Sequence, residues 1–174
     1  TAQTSYTNIA EEAELGSKNT AIDYLGFLVD SYFVCEAKFW DIYQNKPILK
    51  KNKKFYSTDP YVLWLFAGFV SGELDFSRLE NVIDESKIME NFVASEICKS
   101  KSRFYFYQNG HEMDFYLPDQ KLGIEVKYKS KIVSSDLEGL TPANTKILVS
   151  KNTLEVRDGI LIVPINLFSW IKLS

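Results

Sequence analysis

Asp114, Glu125 and Lys127 are the residues of this chain best suited to chemistry, within the stretch Glu112-Met-Asp-Phe-Tyr-Leu-Pro-Asp-Gln-Lys-Leu-Gly-Ile-Glu-Val-Lys127. An alternating run through Leu117, a Pro118-Asp119 turn and an apolar run from Leu122 to Val126 predict a β-hairpin. Side chains alternate along a strand, so Glu125 and Lys127 project to one face and Val126 to the other. Two carboxylates and an amine converging there can hold a divalent metal and activate a water. An acid-X-Lys triplet on an exposed strand ordinarily means a solvated charged face. This strand is otherwise apolar, with Leu122, Ile124 and Val126, and so reads as a covered, central strand. Charge in such a place is costly unless it is used.

The elements that must position these groups begin upstream. Ile88, Met89, Phe92, Val93 and Ile97 recur at helical spacing and predict a helix over residues 87–98. Helix, hairpin and triplet in this order resemble the active-site core of the PD-(D/E)XK phosphodiesterases. In that fold an Asp begins one strand, an acid-X-Lys triplet lies on its hairpin partner, and the preceding helix often donates a further acid. The resemblance implies an α/β, restriction-endonuclease-like fold, a mixed sheet flanked by helices. It implies Mg²⁺ or Mn²⁺ held by Glu90, Asp114 and Glu125, and catalysis on DNA by Asp114, Glu125 and Lys127.

Composition bounds the alternatives. With 174 residues, 45% hydrophobic and 14% aromatic, the chain can build one medium core or two small ones. No run of eighteen apolar residues or signal peptide is visible, which predicts a cytoplasmic protein without a membrane span. Cys35 and Cys98 lie in apolar surroundings without metal-ligand spacing and read as buried free thiols. His111, the single histidine, sits in a turn and reads as solvated rather than as a zinc ligand or part of a dyad. A net charge of −3 argues against a general polyanion binder. The lysines nevertheless cluster. Lys46, Lys50, Lys51, Lys53 and Lys54 read as a solvated patch. Lys127, Lys129 and Lys131 lie beside the candidate site, where a phosphate backbone would need positive charge.

The N-terminal part has a different texture. Thr7 can cap a helix from Asn8 to Glu14, Leu15-Gly16 breaks it, and Ser17 caps a second helix to about Asp30. A β-type run at Tyr32–Ala37, a lysine-rich stretch and a short strand at Lys54–Ser57 follow. Two helices and a ribbon make the winged helix-turn-helix pattern, which predicts one domain over 1–56 and a nuclease-like domain over 57–174. Lys18 is the candidate nucleic-acid contact on the second helix, with Lys129 and Lys131 beside the site. Glu11, Glu12 and Glu14 would repel phosphates, so partner docking suits this region better than base reading. Asp59-Pro60 starts a helix over 61–69, and residues 72–78 read as a loop. A short capped helix is expected at 134–140, strands at 146–150 and 159–164, and a closing helix at 167–173.

This order resembles the C-terminal half of prokaryotic, especially archaeal, AAA-type ATPases. There a P-loop ATPase is followed by a winged helix and a nuclease-like domain. The residues carrying the likeness are Thr20–Leu28, Lys54–Asp59, Glu90–Val93, Glu112–Phe115 and Ile124–Lys127. The resemblance implies the ATPase half as a partner, and the chain reads as a piece of a longer protein. No Gly-x-x-x-x-Gly-Lys-Ser/Thr motif occurs in it. A catalytically inactive module of the same fold, docking DNA or a protein, is the competing expectation.

Overall fold

Serine hydroxyls open the first two helices of the computed structural model, which describes residues 2–72 and 84–173. Ser5, rather than Thr7, accepts from the Asn8 amide and starts α1 (Tyr6–Glu12), so that helix begins and ends earlier than its expected span. Gly16 supplies a left-handed turn at φ 69°, and Ser17 accepts from the Thr20 amide to start α2 (Lys18–Asp30). The ribbon that follows is longer than expected. β1 (Val34–Asp41) pairs antiparallel with β2 (Lys46–Ser57), which takes in the lysine-rich stretch.

These two strands are not set apart as a wing. β1 also pairs in parallel with β3 (Tyr105–Asn109). That contact joins the ribbon to β4 (His111–Leu117), β5 (Leu122–Lys127), β6 (Thr145–Ser150), β7 (Glu155–Arg157) and β8 (Ile160–Pro164). The result is one eight-stranded mixed sheet in the order β2-β1-β3-β4-β5-β6-β8-β7. The expected boundary near residue 57 thus falls at the end of β2, within an architecture shared by both halves.

α3 (Pro60–Ser71) follows β2 directly, with Asp59 accepting from the Tyr61 amide and Pro60 in its first turn. Of the expected 72–78 loop, Gly72 closes α3 in the left-handed region and the rest lies outside the described residues. α4 (Glu85–Lys99), capped by Asp84, is the helix expected before the hairpin. The hairpin forms as anticipated, with β4 and β5 antiparallel and Leu117 opposite Leu122. The segment expected as a short helix is a 3-10 helix over Ser134–Leu140. The chain closes on α5 (Ile165–Phe168), which starts two residues before the expected 167–173 helix and is shorter.

Each face of the sheet has its own core. α4 covers one, where Val93, Ala94 and Ile97 meet Ala37, Tyr56, Phe115 and Ile124. The 3-10 helix covers the other, where Leu137 and Leu140 meet Trp40, Met113, Leu148 and Ile162. β5 runs between β4 and β6 and is the covered central strand that its apolar residues predict.

Two expectations about single residues are corrected. Cys35 and Cys98 are joined as a disulfide rather than standing as free thiols; 63 residues separate them in sequence. β1 and the last turn of α4 bring them together on one face, a juxtaposition that local surroundings cannot reveal. Lys53 and Lys54, expected in a solvated patch, are both buried. Lys53 donates to the Leu49 and Lys51 carbonyls and lies over the Tyr6 ring. Among the described residues no helix is long and apolar enough to cross a membrane.

Candidate active site

The site is built where the sheet forks. β4 and β5 pair at Phe115–Ile124, Tyr116–Gly123 and Leu117–Leu122, and the ladder between them ends there. Beyond that point β4 stays with β3, through Met113 and Glu112. β5 stays with β6, through Glu125, Val126 and Lys127. Side chains fill the opening. Asp114 Oδ2 accepts from the Val126 amide at 3.0 Å, and Glu125 Oε2 accepts from the Asp114 amide at 3.2 Å. Carboxylates thus satisfy backbone donors that the separating strands would otherwise leave buried and unpaired.

A register shift re-aims Asp114. β3 places Tyr105 opposite Tyr116 but Tyr107 opposite Met113, so β4 carries one extra residue there. Met113 accordingly packs in the core under the 3-10 helix while Phe115 packs under α4, although strict alternation would put both on one side. The shift lets Asp114 serve both sides of the fork.

On the α4 side stands a group that the triplet did not point to. Lys54, on β2, has a side chain only 3% exposed. Its ammonium donates to Asp114 Oδ1 at 3.1 Å and to Glu90 Oε1 at 3.0 Å, and it pairs with Glu112. Tyr56, two residues on and therefore on the same face, donates its hydroxyl to Glu90 Oε1 at 2.8 Å. Asn91, fully buried, locks the helix in place: it accepts from the Ser57 amide and donates to the Ser57 carbonyl. Glu90 and Asp114 are thus bridged by the Lys54 ammonium. The missed residues Lys54, Tyr56 and Glu112 all lie in segments that carry the likeness to the ATPase family. The lysine's neighbours in sequence suggest a solvated patch, whereas the fold buries it.

Glu125 and Lys127 lie on the other side of the fork. Ile124 and Val126 pack into the core under α4, so the residues between and after them turn toward the 3-10 helix. Lys127 Nζ is 2.5 Å from Glu125 Oε1, with Lys127 38% exposed and Glu125 4%. Gly139 of the 3-10 helix passes so close to the Glu112 carbonyl that no side chain fits between them.

Burial dominates the electrostatics. It pushes the Asp114 carboxyl up to about 6, with Glu90 adding to the effect while Lys54 and the Val126 amide oppose it. Burial also pushes Glu125 up to about 8, with Asp114 adding and Lys127 opposing. For Lys54, burial alone would lower the pKa; Asp114, Glu90 and Glu112 outweigh it and hold the ammonium above its ordinary value. Lys127 follows the same pattern, with Glu125 prevailing over partial burial.

The expected basic contacts are not gathered at the fork. Lys129 is paired at 2.6 Å with Asp136, which also accepts from the Val133 amide at the start of the 3-10 helix. Lys131 is exposed on the nearby loop, and Lys18 is exposed at the start of α2. His111 pairs with Glu138 at 2.8 Å on the surface instead of standing alone in solvent.

Among the described residues, no three or more His, Cys, Asp or Glu side chains are arranged ready to hold a metal. The donor chemistry nevertheless suits a hard dication, since every candidate ligand is a carboxylate. Glu90 and Asp114 already share one cation, the Lys54 ammonium, so both oxygens reach a common point.

Residues 85–168 match the family model described as a domain of unknown function, DUF4143. The match spans just under half of the 174-residue chain and runs from α4 into α5. Such domains are typically found at the C-terminus of AAA-ATPase-like proteins. No curated protein and no solved structure matches the chain. The matched segment contains Glu90, Glu112, Asp114, Glu125 and Lys127, whereas Lys54 and Tyr56 lie outside it.

Proposed function

We propose that this chain carries a metal-dependent phosphodiesterase site acting on DNA, on the PD-(D/E)XK pattern and within a restriction-endonuclease-like fold. One observation carries the reading. Asp114 and Glu125 meet across the fork of a hairpin, with Lys127 on Glu125 and with Glu90 of the preceding helix bridged to Asp114 by the Lys54 ammonium. Carboxylates would not be buried at such density merely to decorate a strand.

Glu90, Asp114 and Glu125 would hold Mg²⁺ or Mn²⁺, supplying Lewis acidity toward a phosphoryl oxygen and a bound water. The chain's own residues do the rest. Asp114 is anchored by the Val126 amide, so its carboxylate cannot swing away. Lys127 keeps a proton on Nζ and is partly exposed, which lets it meet a phosphate arriving from solvent. Lys131 is free to lie along a nucleic-acid backbone, and Lys129 can join it by releasing Asp136. Lys18 offers a more distant contact on α2.

The test is cleavage of supercoiled plasmid and single-stranded DNA by excess protein with Mn²⁺, beside an Asp114→Ala control. Metal-dependent cleavage lost in the control is expected. Absence of cleavage by the wild type would sink the reading, and equal cleavage by both proteins would assign the activity to a contaminant.

A second reading, a non-catalytic docking module for the ATPase half of a longer protein, is favoured by a different observation. α3 exposes Tyr61, Leu65, Phe66, Phe69 and Val70, and α2 exposes Tyr24 and Phe27. Between these helices runs an apolar groove of about 480 Å³, lined by Leu28, Phe33, Phe55, Val62 and Phe66. Exposed apolar surface of this kind marks a contact with another protein. Soluble, monomeric behaviour of the protein at high concentration would count against it.

A further inference from the structure

We propose that Lys54 is the cation this site carries in its metal-free state, and that a divalent ion enters only by displacing the Lys54 ammonium from Glu90 and Asp114. The proposal rests on the phosphodiesterase reading above and adds to it a residue from outside the matched segment.

Three observations lead to it. Lys54 Nζ sits 3.0 Å from Glu90 Oε1 and 3.1 Å from Asp114 Oδ1, two of the carboxylates assigned to the metal. It also pairs with Glu112, so one ammonium occupies the common point of three acids. Its side chain is 3% exposed, and solvent cannot screen it. An ammonium and a dication cannot share that point, because like charges repel strongly where water is excluded. The lysine stem is flexible and its charge compact, which suits a group that must both neutralise the acids and leave. Tyr56 remains on Glu90 Oε1 and would keep that carboxylate in place during the exchange. β2 thus delivers to the fork a stopper that the hairpin alone does not contain.

Isothermal titration of Mn²⁺ into the full chain and into Lys54→Met tests this without any substrate. The variant is expected to bind at least about tenfold more tightly, since a competing cation is gone. Binding by the variant alone, with none by the wild type, would support the proposal in its strongest form. Equal or weaker binding by Lys54→Met would overturn the proposal while leaving the phosphodiesterase reading intact. Absence of binding by both proteins would overturn the two together.

Because Lys54→Met leaves buried acids uncompensated, a Lys54→Met/Glu112→Gln variant keeps the charge balance and should show the same gain. In Lys54→Met/Asp114→Asn the gain should vanish; if it persists, the metal is bound elsewhere and the proposal fails.

Discussion

Glu125 concentrates the conflict between burial and charge in this site. Its carboxyl is pushed from an ordinary 4.5 up to about 8 in the fold, and Asp114 from 3.8 up to about 6. An acid whose folded pKa is raised binds its proton more tightly in the folded state. Its contribution is therefore fully favourable below the unfolded pKa and is lost as pH rises through the folded one. Metal-free protein should lose stability between about pH 4.5 and 8 on account of Glu125, with the Asp114 part complete near 6. Lys54 and Lys127 stay protonated across this window and do not alter the sign. Glu125→Gln should match the wild type at acidic pH, melt higher than it at pH 8, and no longer gain stability from Mn²⁺. Thermal melts of both proteins across that range, with and without Mn²⁺, check it. A mutant less stable at every pH, beside a wild type indifferent to metal, would mean that Glu125 serves only as the partner of Lys127.

At the scale of elements, the fork depends on what presses against it from each side. α4 is held by the Asn91–Ser57 pair of hydrogen bonds, which fixes Glu90 at the end of β2. On the other side the 3-10 helix reaches the start of β4 through Gly139, whose Cβ, if present, would run into the Glu112 carbonyl and approach Glu125 Oε2 to 3.6 Å. Backbone on backbone leaves no flexible group to move aside. Gly139→Ala should therefore push the 3-10 helix off β4 and destabilise the protein by about 1–3 kcal/mol. It should also weaken the Lys129–Asp136 contact at that helix's start. Chemical denaturation measures the first effect. An unchanged midpoint would show that the 3-10 helix is not seated on β4 as described.

At the scale of the whole molecule, the N-terminal region belongs to the fold that carries the site. β1 covers the edge of β3, Ala37 and Tyr56 fill the core beneath α4, and Lys54 neutralises the acids of the fork. Removing residues 1–57 would expose a strand edge, open that core and leave Glu90, Glu112 and Asp114 without their ammonium. The isolated 58–174 segment is expected to show no cooperative thermal transition. A dispersed amide spectrum from that segment would instead establish it as a self-sufficient domain.

What the chain itself determined is local. The hairpin, its turn and the common face of Glu125 and Lys127 follow from strand periodicity, which covalent geometry imposes on any such run. The helix bearing Glu90 follows from apolar spacing, and the Ser17 and Asp59 caps from side chains that satisfy the nearest amides. Tertiary structure decided the rest. A shift against β3 turned Asp114 toward α4, and only the pairing of two strands can create that shift. Lys54 became a buried partner through contacts 36 and 60 residues away, whereas its sequence neighbours are mostly solvated lysines. The ribbon read as a wing became part of the main sheet because β3, itself unanticipated, offered it an edge. Cys35 and Cys98 met because β1 and α4 share a face. In each case the deciding energy lies in burial and register between distant segments, and local patterning carries no record of which segments those will be.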